Sequence, residues 1–225
     1  MVTKVKICGL KTAEALAAAV AGGADYVGFV FYEPSPRNVA PEVARALARQ
    51  AQGRVKVVAL FVDPNDGFLD RVVSEVNPDL IQLHGGETPE RVAEIRNRCS
   101  RPVMKAVHIE TPADAELALQ YLGAADLILF DAKAPVRFAK PLPGGNGMAF
   151  DWRALLSVKD KMPFMLSGGL TPENVAEAIR LTGADGVDVS SGVEVRPGEK
   201  DPERIHRFLA AAKAPAVAPA APNPG

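Results

Sequence analysis

Apolar runs of strand length alternate with amphipathic helical stretches about every 25 residues along this chain, and that alternation narrows the possible folds to a few. The strand-like runs are Val2–Cys8, Tyr26–Phe31, Val55–Val62, Leu80–Leu83, Val103–Val107, Leu127–Asp131, Phe164–Ser167 and Gly186–Val189. Helical patterns cover Thr12–Ala21, Pro41–Gln50, Phe68–Val76, Pro89–Arg98, Pro112–Tyr121, Asp151–Ser157, Pro172–Leu181 and Pro202–Ala212. Thr88-Pro89, Thr111-Pro112, Thr171-Pro172 and Asp201-Pro202 each place a proline after a small polar or acidic residue, which is a helix-start signal.

Eight strand-helix units in succession predict an α/β fold of the closed (β/α)8 barrel type, because short right-handed crossovers set each strand parallel to and beside the last. An open doubly wound sheet is the alternative, but no strong dinucleotide fingerprint follows the first strand. Gly22-Gly23-Ala24-Asp25 and Gly183-Ala184-Asp185-Gly186 read as one helix-to-strand turn used twice. The 225 residues suit one domain, expected over 1–213, and the Ala/Pro-rich segment 214–225 reads as a disordered tail. With 26 basic and 27 acidic residues there is no charge excess to favour nucleic acid or an anionic membrane. Apolar runs are too short to span a bilayer, the N-terminus lacks a signal-peptide core, and two cysteines make no disulfide framework, so a cytoplasmic protein is expected.

In a barrel, chemistry belongs at the C-terminal strand ends. The last two strands stop at Ser167-Gly168-Gly169 and at Ser190-Ser191-Gly192, loops made mostly of bare backbone. Closely spaced N–H groups backed by a helix start satisfy a phosphate, although glycines also serve as plain turn residues. On the first strand, alternation places Lys4, Lys6 and Cys8 on one face and Val5 and Ile7 on the other, so Cys8 points inward at the rim if the apolar face packs on the helices. A lone cysteine is as readily a small buried hydrophobe. Asp131 ends the sixth strand on the same inward side; it could cap the following turn, or serve as the acid to a base on the first strand. Arg37, in the loop after the second strand, is either solvated or a clamp for a carboxylate.

Taken in order, Lys6-Ile7-Cys8-Gly9, Gly28-Phe29-Val30-Phe31, Ser35-Pro36-Arg37, Gln82-Leu83-His84-Gly85, Leu129-Phe130-Asp131, Gly144-Gly145-Asn146-Gly147, Phe150-Asp151-Trp152, Leu166-Ser167-Gly168-Gly169-Leu170 and Asp188-Val189-Ser190-Ser191-Gly192-Val193-Glu194 resemble phosphoribosylanthranilate isomerase of tryptophan biosynthesis, from about Val2 to Leu209. The resemblance implies a (β/α)8 isomerase, monomeric or homodimeric, without metal or organic cofactor, acting on a phosphosugar by an Amadori rearrangement. It implies that Asp131 is the general acid, Cys8 the general base and Arg37 the anthranilate-carboxylate clamp, with Gly168, Gly169, Ser190, Ser191 and Gly192 at the phosphate.

Asp188 either orients the ribose or a water, or is a structural carboxylate; His84 either borders the anthranilate or is a packed, loop-bonded histidine. The stretch from Asp131 to Phe150 departs from the family pattern, with Asn146 where serine or threonine is typical, and its length suits a lid. Other readings are another phosphate-binding barrel, such as an indole-glycerol-phosphate synthase or a pentose-phosphate epimerase, and a non-catalytic phosphate-ligand domain. An epimerase would call for several metal-ligating histidines, and the chain has three histidines in all.

Overall fold

In the computed structural model, residues 3–51, 53–132 and 151–214 are described. The lid stretch with Asn146 and the tail beyond Ala214 lie outside them. Eight strands form a closed parallel barrel in the order of the chain, β1 (Lys4–Cys8), β2 (Tyr26–Phe31), β3 (Lys56–Phe61), β4 (Leu80–Leu83), β5 (Val103–Ile109), β6 (Leu127–Ala132), β7 (Phe164–Leu166) and β8 (Gly186–Val189). The open sheet is thereby excluded, since β8 pairs with β1 through Lys4↔Gly186 to Ile7↔Val189. The connecting helices are α1 (Ala13–Ala21), α2 (Pro41–Ala51), α3 (Asp66–Val76), α4 (Pro89–Cys99), α5 (Pro112–Leu117) and α6 (Val175–Thr182), and α7 (Pro202–Lys213) closes the series.

Strand alternation sorts the side chains into two cores. Outward-facing Val5, Ile7, Val27, Phe29, Ile81, Phe130, Phe164 and Val187 are fully or almost fully buried against the helices. Inward, Tyr26, Val58, Leu80, Met104, Ala106, Leu129 and Met165 fill the barrel, so its interior is packed and the C-terminal rim becomes a floor on which polar groups stand. No helix among the described residues is long and apolar enough to cross a membrane.

Four segments depart from the sequence expectation. Trp152–Ser157 is a 3-10 helix capped by Asp151, and Pro112–Tyr121 splits into α5 and a 3-10 turn. The sixth helix begins at Val175 instead of Pro172, because the Asn174 side chain is spent on the loop before it, accepting from the Thr171 N–H at 2.8 Å and donating to the Gly169 carbonyl at 2.9 Å. After a 3-10 turn at Ser191–Val193, the chain also forms an antiparallel ribbon, β9 (Glu194–Arg196) with β10 (Glu199–Lys200), for which the sequence pattern gave no signal.

The repeated Gly-Ala-Asp turn has a physical basis that extends to half of the strands. Asp25, Asp79, Asp126 and Asp185 each stand just before an even-numbered strand, and each accepts from an N–H at the start of the preceding odd-numbered one: Val5 at 2.8 Å, Val57 at 2.7 Å, Val103 at 2.9 Å and Phe164 at 3.1 Å. The N-terminal face is thus tied by carboxylates while the opposite face is left for function. Asp79→Ala should lower unfolding free energy by about 1 to 2 kcal/mol and leave turnover unchanged, since it orphans one strand-end donor far from the rim. Urea unfolding beside a steady-state assay checks this, and an unaltered midpoint would show that the cap contributes nothing.

Candidate active site

The rim carries two buried polar clusters, one on β1 and β8 and one on β4, β5 and β6. In the first, Lys6 and Asp188 are register partners across the β1–β8 ladder and pair at 2.9 Å with essentially no solvent exposure. Ser167 adds a longer hydrogen bond to Asp188 at 3.4 Å. Cys8 lies one inward step above Lys6, and a Cβ at Gly28 would stand 2.9 Å from the Cys8 sulfur and 3.2 Å from the Lys6 nitrogen. The missing side chain on β2 is therefore the space in which thiol and ammonium meet. Burial pushes the Cys8 thiol up while Lys6 works against it; for Lys6, burial works downward but Asp188 and Cys8 outweigh it and hold the amine above its ordinary value. A thiolate formed here has its counter-ion in place.

In the second cluster, Asp131 is buried and inward-facing, as alternation predicts. Its Oδ1 accepts from the Ala132 N–H at 2.9 Å, and its Oδ2 lies 3.1 Å from His84 Nε2. Gln82, two residues before His84 on β4, meets His84 Nδ1 at 2.9 Å. His108, the register partner of Asp131 on β5, packs its ring 5.3 Å from that of His84. Burial, then the neighbouring His84, lowers His108 to about 4, so it is neutral at physiological pH. Among the described residues, His84, His108 and Asp131 have ligand atoms within 4.8 Å of one another and are the side chains with the donor set for a metal ion. Behind them, the loop after β4 is fastened by a buried Lys105–Glu87 pair at 2.8 Å, with Lys105 also donating to the Gly85 carbonyl at 2.7 Å.

Arg37 is buried and not solvated. Its Nε and one Nη donate to the two oxygens of Glu194 at 2.9 and 2.8 Å. Burial works to raise Glu194, but Arg37 and Lys200 together hold it below the usual carboxylate range. Lys200, pushed down to about 8 by burial against the pull of Glu194, donates at 2.7 Å to Glu194 and at 2.9 and 3.1 Å to the carbonyl and hydroxyl of Ser190. The Ser190 hydroxyl in turn donates to the Cys8 carbonyl at 3.2 Å. One ion cluster on the small ribbon thus fixes both Arg37 and the loop after β8.

The loops after β7 and β8 lie side by side, as the sequence predicts. Gly169 and Leu170 share a cavity of about 440 Å³ with Ser191, Gly192 and the arginines Arg204 and Arg207 of α7. Structure thereby gathers Cys8, Asp131, Arg37, His84 and Asp188 with both glycine loops at one end of the barrel. Sequence reasoning passed over Gln82, Lys105, His108, Glu194 and Lys200 as site residues, and placed Lys6 on the inward face with Cys8 without counting it as one. Lys6 had the clearest signal, a charged residue on the same strand face as Cys8.

Comparison with known proteins agrees with this geometry. Residues 5–211 match the family model described as N-(5'phosphoribosyl)anthranilate (PRA) isomerase. The N-(5'-phosphoribosyl)anthranilate isomerase of Rhodospirillum centenum is 59% identical over 95% of this chain and 100% of its own length, and that of Paracoccus denitrificans 56% identical over 96% and 99%. Among solved structures, phosphoribosyl anthranilate isomerase from Thermotoga maritima superposes with a TM-score of 0.84 at 40% identity, covering 94% of this chain and 98% of that one. A phosphoribosyl anthranilate isomerase in complex with reduced 1-(o-carboxyphenylamino)-1-deoxyribulose 5-phosphate superposes with a TM-score of 0.82 at 38% identity, over 94% and 98%. With that model matched across the barrel and such relatives covered end to end, the chain belongs to the N-(5'-phosphoribosyl)anthranilate isomerase family.

Proposed function

We propose that this chain converts N-(5-phosphoribosyl)anthranilate into 1-(2-carboxyphenylamino)-1-deoxyribulose 5-phosphate, an Amadori rearrangement in tryptophan biosynthesis. The observation that carries the mechanism is the pair of inward, buried reactive groups, Cys8 beside an ammonium and Asp131 beside an imidazole, at the barrel end where the two glycine loops meet. Asp131 gives its proton to the furanose ring oxygen as the C1'–O bond breaks, and the anthranilate nitrogen lone pair forms the iminium. The C2' proton is then acidic, and the Cys8 thiolate removes it. The electrons left on C2' become the enolamine double bond and neutralise the nitrogen, after which tautomerisation gives the ketone. Because the iminium itself accepts the electrons, the sequence of steps closes without a redox or metal partner. A protein of this kind works in the cytoplasm on a small phosphosugar, as a monomer or a homodimer. Mixing purified protein with N-(5-phosphoribosyl)anthranilate and following the loss of substrate fluorescence tests the activity; a decay no faster than the spontaneous one would refute it.

Arg37 is suited to clamp the anthranilate carboxylate, and Glu194, held by its Nε and one Nη, orients the guanidinium plane. Arg37→Lys should raise KM about 10- to 100-fold with a smaller effect on kcat, since a point charge serves neither Glu194 nor a carboxylate bidentately. Steady-state kinetics with an analogue lacking the carboxylate provides the control. If that analogue suffers the same relative loss, the contact lies elsewhere.

A further inference from the structure

The line of hydrogen bonds from Gln82 through His84 to Asp131 raises a question of proton inventory. Gln82 is fully buried and its amide end meets His84 Nδ1 at 2.9 Å; His84 Nε2 meets Asp131 Oδ2 at 3.1 Å. The two amide orientations assign the imidazole proton differently. If the Gln82 nitrogen donates, Nδ1 is an acceptor and the ring proton sits on Nε2, aimed at Asp131. Both carboxylate oxygens are then acceptors, Oδ1 from the Ala132 N–H and Oδ2 from His84, and no proton is held for transfer. If instead the Gln82 oxygen accepts, Nδ1 carries the proton. Nε2 and Oδ2, two acceptors at 3.1 Å, then require one proton between them.

Hydrogen-bond satisfaction does not choose between the orientations, because either leaves the far end of the buried Gln82 amide without a partner among the described residues. The chemistry does choose, since only the second arrangement stores an acid. We propose that Gln82 holds His84 in its Nδ1-protonated form, so that His84 and Asp131 share one proton along the Nε2···Oδ2 line and Asp131 delivers that proton to the substrate. This rests on the reading of Asp131 as the general acid. His84 is a positioning residue: it holds the proton at Asp131 and touches no reacting atom. The step balances, because the shared proton moves to the ring oxygen and leaves the pair as neutral Nδ1–H imidazole beside carboxylate. The Cys8 thiol then releases the proton taken from C2' to solvent and the pair takes one up, so both groups return to their starting states.

Nitrogen-15 NMR of histidine-labelled wild-type protein reads the tautomer directly. The expected result is a protonated Nδ1 on His84, assigned by the loss of its signals in His84→Asn. The shorter asparagine amide reaches only the Nδ1 position beside Gln82 and offers Asp131 no proton to share, so kcat should fall about 10²-fold with KM changed less than about threefold. A resting His84 protonated on Nε2 alone overturns the proposal, and so does near-normal kcat in His84→Asn. Asp131→Asn separates this from the wider reading: full turnover there would remove Asp131 as the acid, whereas an inactive Asp131→Asn with a fully active His84→Asn would dismiss only the shared proton.

Discussion

Cys8→Ser should lose about 10²- to 10⁴-fold in kcat while binding a reduced product analogue and melting nearly as the unaltered chain does. Serine differs from cysteine by one atom, and Cys8 packs in a small rim cluster with Val30 and Leu60, so little packing is lost. The loss is chemical: at a buried position a hydroxyl does not ionise near neutral pH, whereas the thiol has Lys6 beside it to support the anion. Burial, opposed by Lys6, raises the thiol, so the thiolate fraction grows as pH rises above neutrality. Single-turnover removal of a C2' proton should therefore accelerate with pH in the unaltered chain and show no such rise in Cys8→Ser. Retention of more than about a tenth of the turnover would remove Cys8 from the mechanism.

The architecture was legible in the sequence because a barrel is built from local signals. β-branched runs mark strands and proline starts mark helices, and eight repeats leave little freedom in topology. Cys8 and Asp131 were legible for the same reason, since alternation along a single strand fixes the side on which each one stands. What stayed hidden depends on contacts between distant parts of the chain. Arg37 meets Glu194 across 157 positions and Lys6 meets Asp188 across 182, and no local pattern announces either pairing. The Asp188 carboxylate is committed to Lys6 and Ser167 in the free protein, and the His84 ring bridges Gln82 and Asp131. Both roles come from facing neighbours on other strands, which is information that residue type and spacing do not carry. Lys200 is the extreme case, a lysine in a two-residue strand that becomes the tie between Arg37's partner and the Ser190 loop.

Gly169→Asp and Gly192→Ala should both abolish tight binding of the phosphorylated product, by different routes that one set of measurements separates. Gly169 sits half-buried at φ 65°, a left-handed conformation that aspartate tolerates better than most residues, so the fold should survive the substitution. Its carboxylate would project toward the space assigned to the 5'-phosphate, and like charges at such a distance should weaken product binding at least about 10²-fold. At low ionic strength the defect should deepen, because screening is then weaker. Gly192→Ala introduces no charge. A Cβ there would lie 1.9 Å from the Leu170 carbonyl oxygen, backbone that cannot step aside, so the loops after β7 and β8 must move apart. Its defect should be insensitive to salt and accompanied by a lower melting temperature, since the strain falls on the contact that holds the two loops side by side. Isothermal titration with the reduced product at two salt concentrations, alongside thermal melts, distinguishes the two. Undiminished affinity in Gly169→Asp would place the phosphate elsewhere, and an unstrained, fully binding Gly192→Ala would show that the two loops need not touch to form the site.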